Sequence, residues 1–288
     1  MAKISFLGLG KMGAPMAARL LSSSHELTVW NRTASKAEPL AQQGAKVATS
    51  PAEAAADADM LITMLATPDA LLDVLFGDTG AASQMREGQT LIEMSTVGPS
   101  VIEEIASKLP DGVTLVDAPV LGSVPAATDG ELLVFVGTDE QTFDRVRPIL
   151  EAFGSVRRIG DIGAGAAVKL VVNMTLGVVM STVGEALMLA RAFGLDRSTV
   201  LDVLEESPVG ATVKGKRGRI ESGHYPANFT LALAEKDMRL VNEAAEQHDV
   251  ALRVARAARE WFIAGAPLGP DLDYSAVIAT ILGEEPLP

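Results

Sequence analysis

The sequence of 288 residues predicts an α/β protein: a doubly wound, mostly parallel sheet followed by an all-helical domain, the two joined by one long helix. Three observations predict it. Gly8-Leu9-Gly10-Lys11-Met12-Gly13 stands at a strand-to-helix turn. Strand and helix signals alternate to about residue 160. Strand signals then all but vanish after Ile159, and a helical pattern runs from about Ala166 to Phe193.

The first strand is the apolar, β-prone run Ile4-Ser5-Phe6-Leu7, and Ala14 to Leu21 continues as helix former. In that context G-x-G-x-x-G has a mechanical meaning. The first glycine allows a tight turn, the second lets a pyrophosphate approach the backbone, and the third lets the helix pack closely on the strand. The helix start then offers free N–H groups and partial positive charge to phosphates. This is the signature of a dinucleotide-binding Rossmann unit. The second strand, Glu26 to Trp30, ends in Asn31-Arg32-Thr33. A site that prefers NAD usually carries Asp or Glu there, to hold the ribose 2′-OH. A neutral Asn31 and a cationic Arg32 beside Thr33 suit a 2′-phosphate instead, so NADP(H) is the expected cofactor.

Ala58 to Leu65 reads as a buried strand, with Pro68 opening the next helix. Met64 and Leu65, at the end of that run, are counted among the expected cofactor contacts. Gln89 to Met94 is a further strand with Pro99 at the following helix start, and Val113–Asp117 and Leu132–Val136 are two more. Such alternation implies a parallel-rich sheet with helices on both faces. Helical segments follow at Ser198–Glu206, Leu231–Gln247 and Ala251–Ala264. The expected division is a Rossmann domain over residues 1–162 and a helical domain over 163–288. The joining helix spans about 40 Å at ~1.5 Å per residue. It is apolar nearly all round and needs more cover than one small domain supplies, which predicts a homodimer or homotetramer built on the helical half.

Composition excludes several classes. A net charge of −13 argues against nucleic acid and anionic membranes as partners. The absence of Cys removes disulfides, thiolate metal sites and cysteine nucleophiles. The first residues lack the long apolar region of a signal peptide. Leu170 to Gly184, the most apolar stretch, contains Asn173, Thr175, Ser181 and Thr182, which reads as too short and too polar for a membrane span. A cytoplasmic protein is expected. His25, His224 and His248 have no partner constellation, and H-E-x-x-H and G-x-S-x-G are absent, so no metal is expected.

Lys169 interrupts the apolar run Ala166 to Val172, and Asn173 follows one turn later on the same helix face. Both lose hydration there, which is costly unless something polar fills the space. Desolvation lowers a lysine pKa toward a range useful for acid/base work. A lysine near a helix start can also carry its ammonium to the surface along its stem, and the pattern alone leaves both readings open.

From Gly8 to Asp237 the chain resembles the β-hydroxyacid dehydrogenases, and 6-phosphogluconate dehydrogenase more distantly. Five ordered blocks carry the resemblance: G-L-G-x-M-G at residues 8–13, Ser95-Thr96-Val97-Gly98-Pro99, Asp117-Ala118-Pro119-Val120 with Gly122, Gly165 with Lys169 and Asn173, and Phe229 through Lys236-Asp237. The resemblance implies reduction of a carbonyl by hydride from a nicotinamide while Lys169 protonates the oxygen, and the reverse with neutral Lys169 as base. It implies that Asn173 orients the substrate, that Thr96 and Lys236 lie near the cofactor, and that Phe229 and Asp237 help close the substrate pocket. For Asp237 an ion pair that positions a helix is an equal alternative.

One block departs from the family. Its usual pattern is D-A-P-V-S-G-G or D-A-P-V-S-G-S, whose Ser helps hold a substrate carboxylate; here the segment reads Leu121-Gly122-Ser123. Leu121 donates no hydrogen bond. Backbone N–H groups around Gly122 and Ser123, or the Ser123 hydroxyl, remain able to hold an anion. The expected activity is NADP(H)-dependent interconversion of a small β-hydroxyacid and its semialdehyde or oxo acid. Two alternatives stay beside it. An imine reductase-like enzyme would act on C=N or less acidic carbonyls, although Lys169 favours carbonyl chemistry. A non-catalytic NADP-binding scaffold would keep the glycine turn and lose the acid/base.

Overall fold

The structure, a computed structural model, describes residues 2–23 and 25–287. It divides into two compact units, one ending at Lys169 and the other beginning at Leu170. The division falls inside the long helix rather than in the glycine-rich loop ahead of it, because the first turn of that helix is bonded to the sheet.

Nine strands among the described residues form the sheet of the first unit. They are β1 (Lys3–Leu7), β2 (Glu26–Trp30), β3 (Lys46–Val47), β4 (Met60–Thr63), β5 (Thr90–Glu93), β6 (Thr114–Asp117), β7 (Val120–Leu121), β8 (Leu132–Gly137) and β9 (Gly154–Gly160). The order β3-β2-β1-β4-β5-β6 is parallel throughout. It is the doubly wound order, whose direction reverses between β1 and β4 and opens a crevice at the strands' carboxyl ends. Beyond β6, β8 joins antiparallel and carries β7 antiparallel and β9 parallel.

Among the described residues seven α-helices accompany this sheet: α1 (Gly13–Leu21), α2 (Glu38–Ala41), α3 (Pro51–Ala56), α4 (Pro68–Phe76), α5 (Pro99–Lys108), α6 (Val124–Asp129) and α7 (Glu140–Leu150). Period-2 alternation assigns the strand residues to two cores. Phe6, Ile62, Ile92 and Val116 share one register row and pack with Met16 and Leu20 of α1 and Val146 of α7. Leu7, Leu61 and Leu91 face the other way, toward Ala55, Leu71, Leu75 and Ile105 of α3, α4 and α5. Ser50, Thr67 and Asp139 cap α3, α4 and α7 with their side chains, as such residues do at a helix start.

The second unit is helical, with two isolated β-bridges, Pro226–Leu272 and Thr230–Asp273. It contains most of α8 (Ala164–Ala192), then α9 (Arg197–Glu205), α10 (Gly210–Ser222), α11 (Leu231–Gln247), α12 (Arg253–Gly265) and α13 (Val277–Leu282). Leu170, Met180, Val183 and Leu187 of α8 pack with Val213, Met238, Phe262 and Ile281. By length and apolar composition α8 would suffice to cross a membrane, with a mean hydropathy of 1.7 over its most apolar window. That corrects the sequence estimate, which counted too short a stretch. The core helix of a globular protein passes the same test, and 44% of that window is buried.

Helix α10 has no apolar stripe in the sequence, yet tertiary bonds hold it. Lys216 reaches the fully buried Asp273 at 2.7 Å and lies over the Tyr274 ring at 4.4 Å. Arg217 binds Asp202, Glu205 and Glu221. Burial pushes the Asp273 carboxyl up, but bonds from Lys216 and Ser275 outweigh it and hold the group below the usual carboxylate range.

Candidate functional site

The glycine turn lies at the carboxyl end of β1, beside the strand reversal. Gly8 has φ +103°, a conformation that side chains disfavour, and donates its N–H to the Trp30 carbonyl at 3.0 Å. A Cβ on Gly8 would run into the Met64 carbonyl, and one on Gly13 into the Gly8 carbonyl. A Cβ on Gly10 would meet nothing within 4 Å. The outer glycines therefore serve protein packing, and the middle one leaves open space. Helix α1 begins there with no side-chain cap and no acid in its first turn. An uncapped helix start above an open cradle fits a pyrophosphate.

Asn31 has work of its own. Its Oδ1 accepts from the Leu9 N–H at 2.9 Å and its Nδ2 donates to the Thr33 carbonyl at 3.0 Å. An amide does both; an aspartate would set its oxygen against the Thr33 carbonyl. Asn31 thus clamps the glycine turn to the loop after β2, on which Arg32 and Thr33 are exposed. Lys11 is exposed on the turn, Met12 half-buried and Leu9 buried.

A second pair of loops leaves the ends of β4 and β5. The Leu65 N–H donates to the Ser95 hydroxyl at 2.8 Å, and the Ser95 N–H to Glu93 Oε1 at 2.7 Å. Ser95 and Glu93 are buried, while Met64, Leu65 and Thr96 are half-buried. No sequence motif assigns Glu93 a role. Its signal was a carboxylate at the end of an otherwise apolar strand.

Asp117, at the end of β6, accepts the N–H groups of Gly163 at 2.7 Å and Ala166 at 2.6 Å. It therefore holds the start of α8, on which Lys169 lies at only 8% exposure. Nearby, Leu121 is half-exposed on β7, Gly122 has φ +138°, and Ser123 stands before α6 without a side-chain cap bond. A Cβ on Gly122 would run 3.1 Å from Ala126 and closer still to Leu132.

In the second unit, Asn173 Nδ2 donates to Asp237 Oδ2 at 2.6 Å, and Lys236 Nζ lies 2.8 Å from Asp237 Oδ1. All three are under 9% exposed. Asp237 accepts only, so Asn173 must turn its NH2 toward it and its carbonyl oxygen away. Phe229 packs on Tyr274 with ring centroids 5.7 Å apart. Among the described residues no group of three His, Asp or Glu is gathered as a metal would require.

Residues 3–174 match the family model described as the NAD binding domain of 6-phosphogluconate dehydrogenase. Residues 163–281 match the one described as the NAD-binding of NADP-dependent 3-hydroxyisobutyrate dehydrogenase. Glyoxylate/succinic semialdehyde reductase 1 of Arabidopsis thaliana is 38% identical, over 97% of this chain and 98% of the relative. The chain belongs to the β-hydroxyacid dehydrogenase family. It is an NAD(P)-dependent dehydrogenase acting on CH–OH groups. Among solved structures, the family's 3-hydroxyisobutyrate dehydrogenase from Mycobacterium tuberculosis, with L-serine, superposes with TM-score 0.88 at 31% identity, covering 98% and 99% of the two chains. Psf3 in complex with NADP+ and 2-OPP superposes at 0.84 with 26% identity, covering 96% and 99%. An imine reductase from Pseudomonas sp., at 0.62 and 20% identity over 97% and 99%, shares the fold.

Proposed function

We propose that this β-hydroxyacid dehydrogenase uses NADP(H) to interconvert a small β-hydroxyacid and its semialdehyde or oxo acid, with Lys169 as general acid/base. The observation that carries the reading is a lysine at 8% exposure on α8, one turn before the buried Asn173, in a chain whose glycine turn leaves a cradle over Gly10. Gly8 to Gly13, Asn31, Arg32, Thr33, Met64, Leu65, Thr96 and Lys236 are the proposed cofactor contacts. The bound nicotinamide supplies hydride chemistry. Lys169 gives a proton to the substrate oxygen in reduction and takes it back in oxidation. Asn173, its amide fixed by Asp237, orients the oxygen that receives that proton. Leu121, Gly122, Ser123, Phe229 and Asp237 are the proposed substrate contacts. The names of the relatives that reduce glyoxylate and succinic semialdehyde support small carbonyl acids as the class.

Leu121 supports a second reading. An alkyl side chain in place of a hydroxyl weakens a carboxylate grip and admits less acidic carbonyls or C=N substrates. The deciding experiment follows NADPH and NADH oxidation with glyoxylate, succinic semialdehyde, tartronate semialdehyde, methylmalonate semialdehyde and cyclic imines. Turnover of imines alone would overturn the carbonyl reading. Lys169→Ala should cost at least ~10²-fold in rate, the usual scale for a general acid, and an unchanged rate refutes its role. The exposed apolar residues Val171, Leu189 and Phe193 of the long helix and its end support assembly as a homodimer or homotetramer.

A further inference from the structure

Asp117 has no solvent-exposed surface, and both its carboxylate oxygens are engaged by the start of α8. The donors are the N–H of Gly163, just before the helix, and that of Ala166, its third residue. A side chain from a strand end thus does in trans what a local Ser, Thr or Asp does at an ordinary helix start. The fold makes room for it with two glycines. A Cβ on Gly137 would run into Oδ1, and one on Gly165 would stand 2.8 Å from Oδ2 and 2.5 Å from the Phe135 carbonyl.

This arrangement is an expensive way to cap a helix. Burial pushes the carboxyl up to about 6, and the backbone donors offset that only in part. Helices α4, α7, α9 and α11 of the same chain are capped by a neighbouring Thr or Asp. A helix of 29 residues does not depend on one cap for its existence. What a remote cap adds is a fixed tie between the helix's first turn and one point on the sheet. That point is chosen by register: Thr63, Glu93 and Asp117 are neighbours in one row across β4, β5 and β6. The row lies at the carboxyl edge, where doubly wound sheets bind their ligands. Lys169 follows Ala166 by three residues, under one turn of helix.

We propose that Asp117 is a positioning residue for Lys169: by holding Gly163 and Ala166 it sets the height and rotation of the turn that carries the ammonium. The inference rests on the reading of Lys169 as acid/base. Asp117→Asn keeps the shape but offers one acceptor and one donor to two N–H groups. One bond is lost, and the first turn shifts or frays. The folded variant should bind NADPH within about 2-fold of the parent and lose roughly 10–100-fold in kcat, the scale of a misplaced reacting group. The loss should vanish when Lys169 is already alanine, so that the double variant matches Lys169→Ala within about 2-fold.

An unchanged kcat in Asp117→Asn, with Lys169→Ala inactive, overturns the proposal and leaves the acid/base reading standing. So does a loss of the same size in both backgrounds, which marks a purely structural role. An unchanged rate in Lys169→Ala refutes the acid/base reading itself and the positioning role with it. Should Asp117→Asn not fold, Asp117→Ser removes the carboxylate with a smaller side chain. Its hydroxyl is shorter than the carboxylate, so no added atom presses on Gly137 or Gly165. It should show the same pattern, and a kcat within about 2-fold of the parent overturns the proposal.

Discussion

Arg32→Ala tests the cofactor preference, and its magnitude follows from where Arg32 stands. Asn31 spends its amide on Leu9 and Thr33, so within this loop the charge of Arg32 is what remains for a 2′-phosphate. A charge-assisted hydrogen bond is worth about 1.5–3 kcal/mol. Arg32 is exposed, and screening places it at the lower end. At 1.4 kcal/mol per tenfold, Arg32→Ala should weaken NADPH by about 10-fold. NADH, with no 2′-phosphate, should change by less than about 2-fold. Dissociation constants from cofactor fluorescence, paired with KM for both cofactors, give the ratio directly. The preference should also shrink as salt rises in the parent and be nearly salt-independent in the variant. Equal weakening of both cofactors would refute the reasoning, and Arg32 would then be a solvated loop charge.

Four more outcomes are expected. Gly10→Ala should leave the thermal midpoint of the free protein unchanged while weakening cofactor at least ~10-fold, since the added methyl meets no protein atom and fills the phosphate cradle; Gly13→Ala should lower the midpoint, as its methyl runs into the Gly8 carbonyl. Leu121→Ser should raise kcat/KM for carboxylate substrates over uncharged carbonyls by roughly 10-fold, one hydrogen bond to a charged group; an unchanged ratio in the substrate panel puts the anion site elsewhere. Denaturant melts of the parent and Asp117→Asn from pH 4 to 7 should diverge. The folded carboxyl titrates near 6 and the unfolded one near its ordinary 3.8, so the folded state binds the extra proton between them. The contribution of Asp117 to stability therefore falls as pH rises through that window, by up to about 3 kcal/mol at 1.36 per unit, and is level above it; parallel curves refute this.

The sequence made legible whatever rests on local pattern. The glycine turn, the strand ends and the boundaries of Leu231–Gln247 are written in short-range periodicity and turn chemistry, and the structure has them there. The short strands β3 and β7 and helix α6 escaped notice because two to six residues carry no period to count. Helix α10 escaped for a different reason. With Gly210, Gly215, Gly218 and four basic residues it has neither an apolar stripe nor good propensity, and distant partners such as Asp273 hold it. The antiparallel entry of β8 is likewise a matter of tertiary pairing. Within the site, Lys169 and Asn173 stood out as polar interruptions of an apolar helix. The second job of Asn31, the Ser95–Glu93 support and the capping bonds of Asp117 were invisible, because each joins segments more than twenty residues apart or turns on a side chain's orientation.

Burial of charge alone does not distinguish a site from a brace, and this chain carries both. Asp273 is fully buried, but its oxygens are met by Lys216, Ser275 and the Asn228 N–H, and the net effect keeps it ionised at little cost. Its bonds tie α10 and the loop before α11 to its own loop within the same unit. Asp117 is as deeply buried, yet it receives only backbone donors and is pushed up rather than down. In this chain the brace Asp273 has a cationic partner and a hydroxyl that outweigh its desolvation, whereas the backbone donors on Asp117 offset it only in part. A carboxylate held at a stability cost beside the turn that bears Lys169 is better explained by what that turn must do. The same comparison sorts the polar residues of α8 and α11: Asp237 meets Lys236 as a brace would, and also fixes the amide of Asn173. Asp237→Asn, which offers one acceptor where Asn173 and Lys236 bring two donors, should therefore raise KM and lower kcat together through a misplaced Asn173, and unchanged kinetics with only a lower unfolding temperature would mark a simple brace.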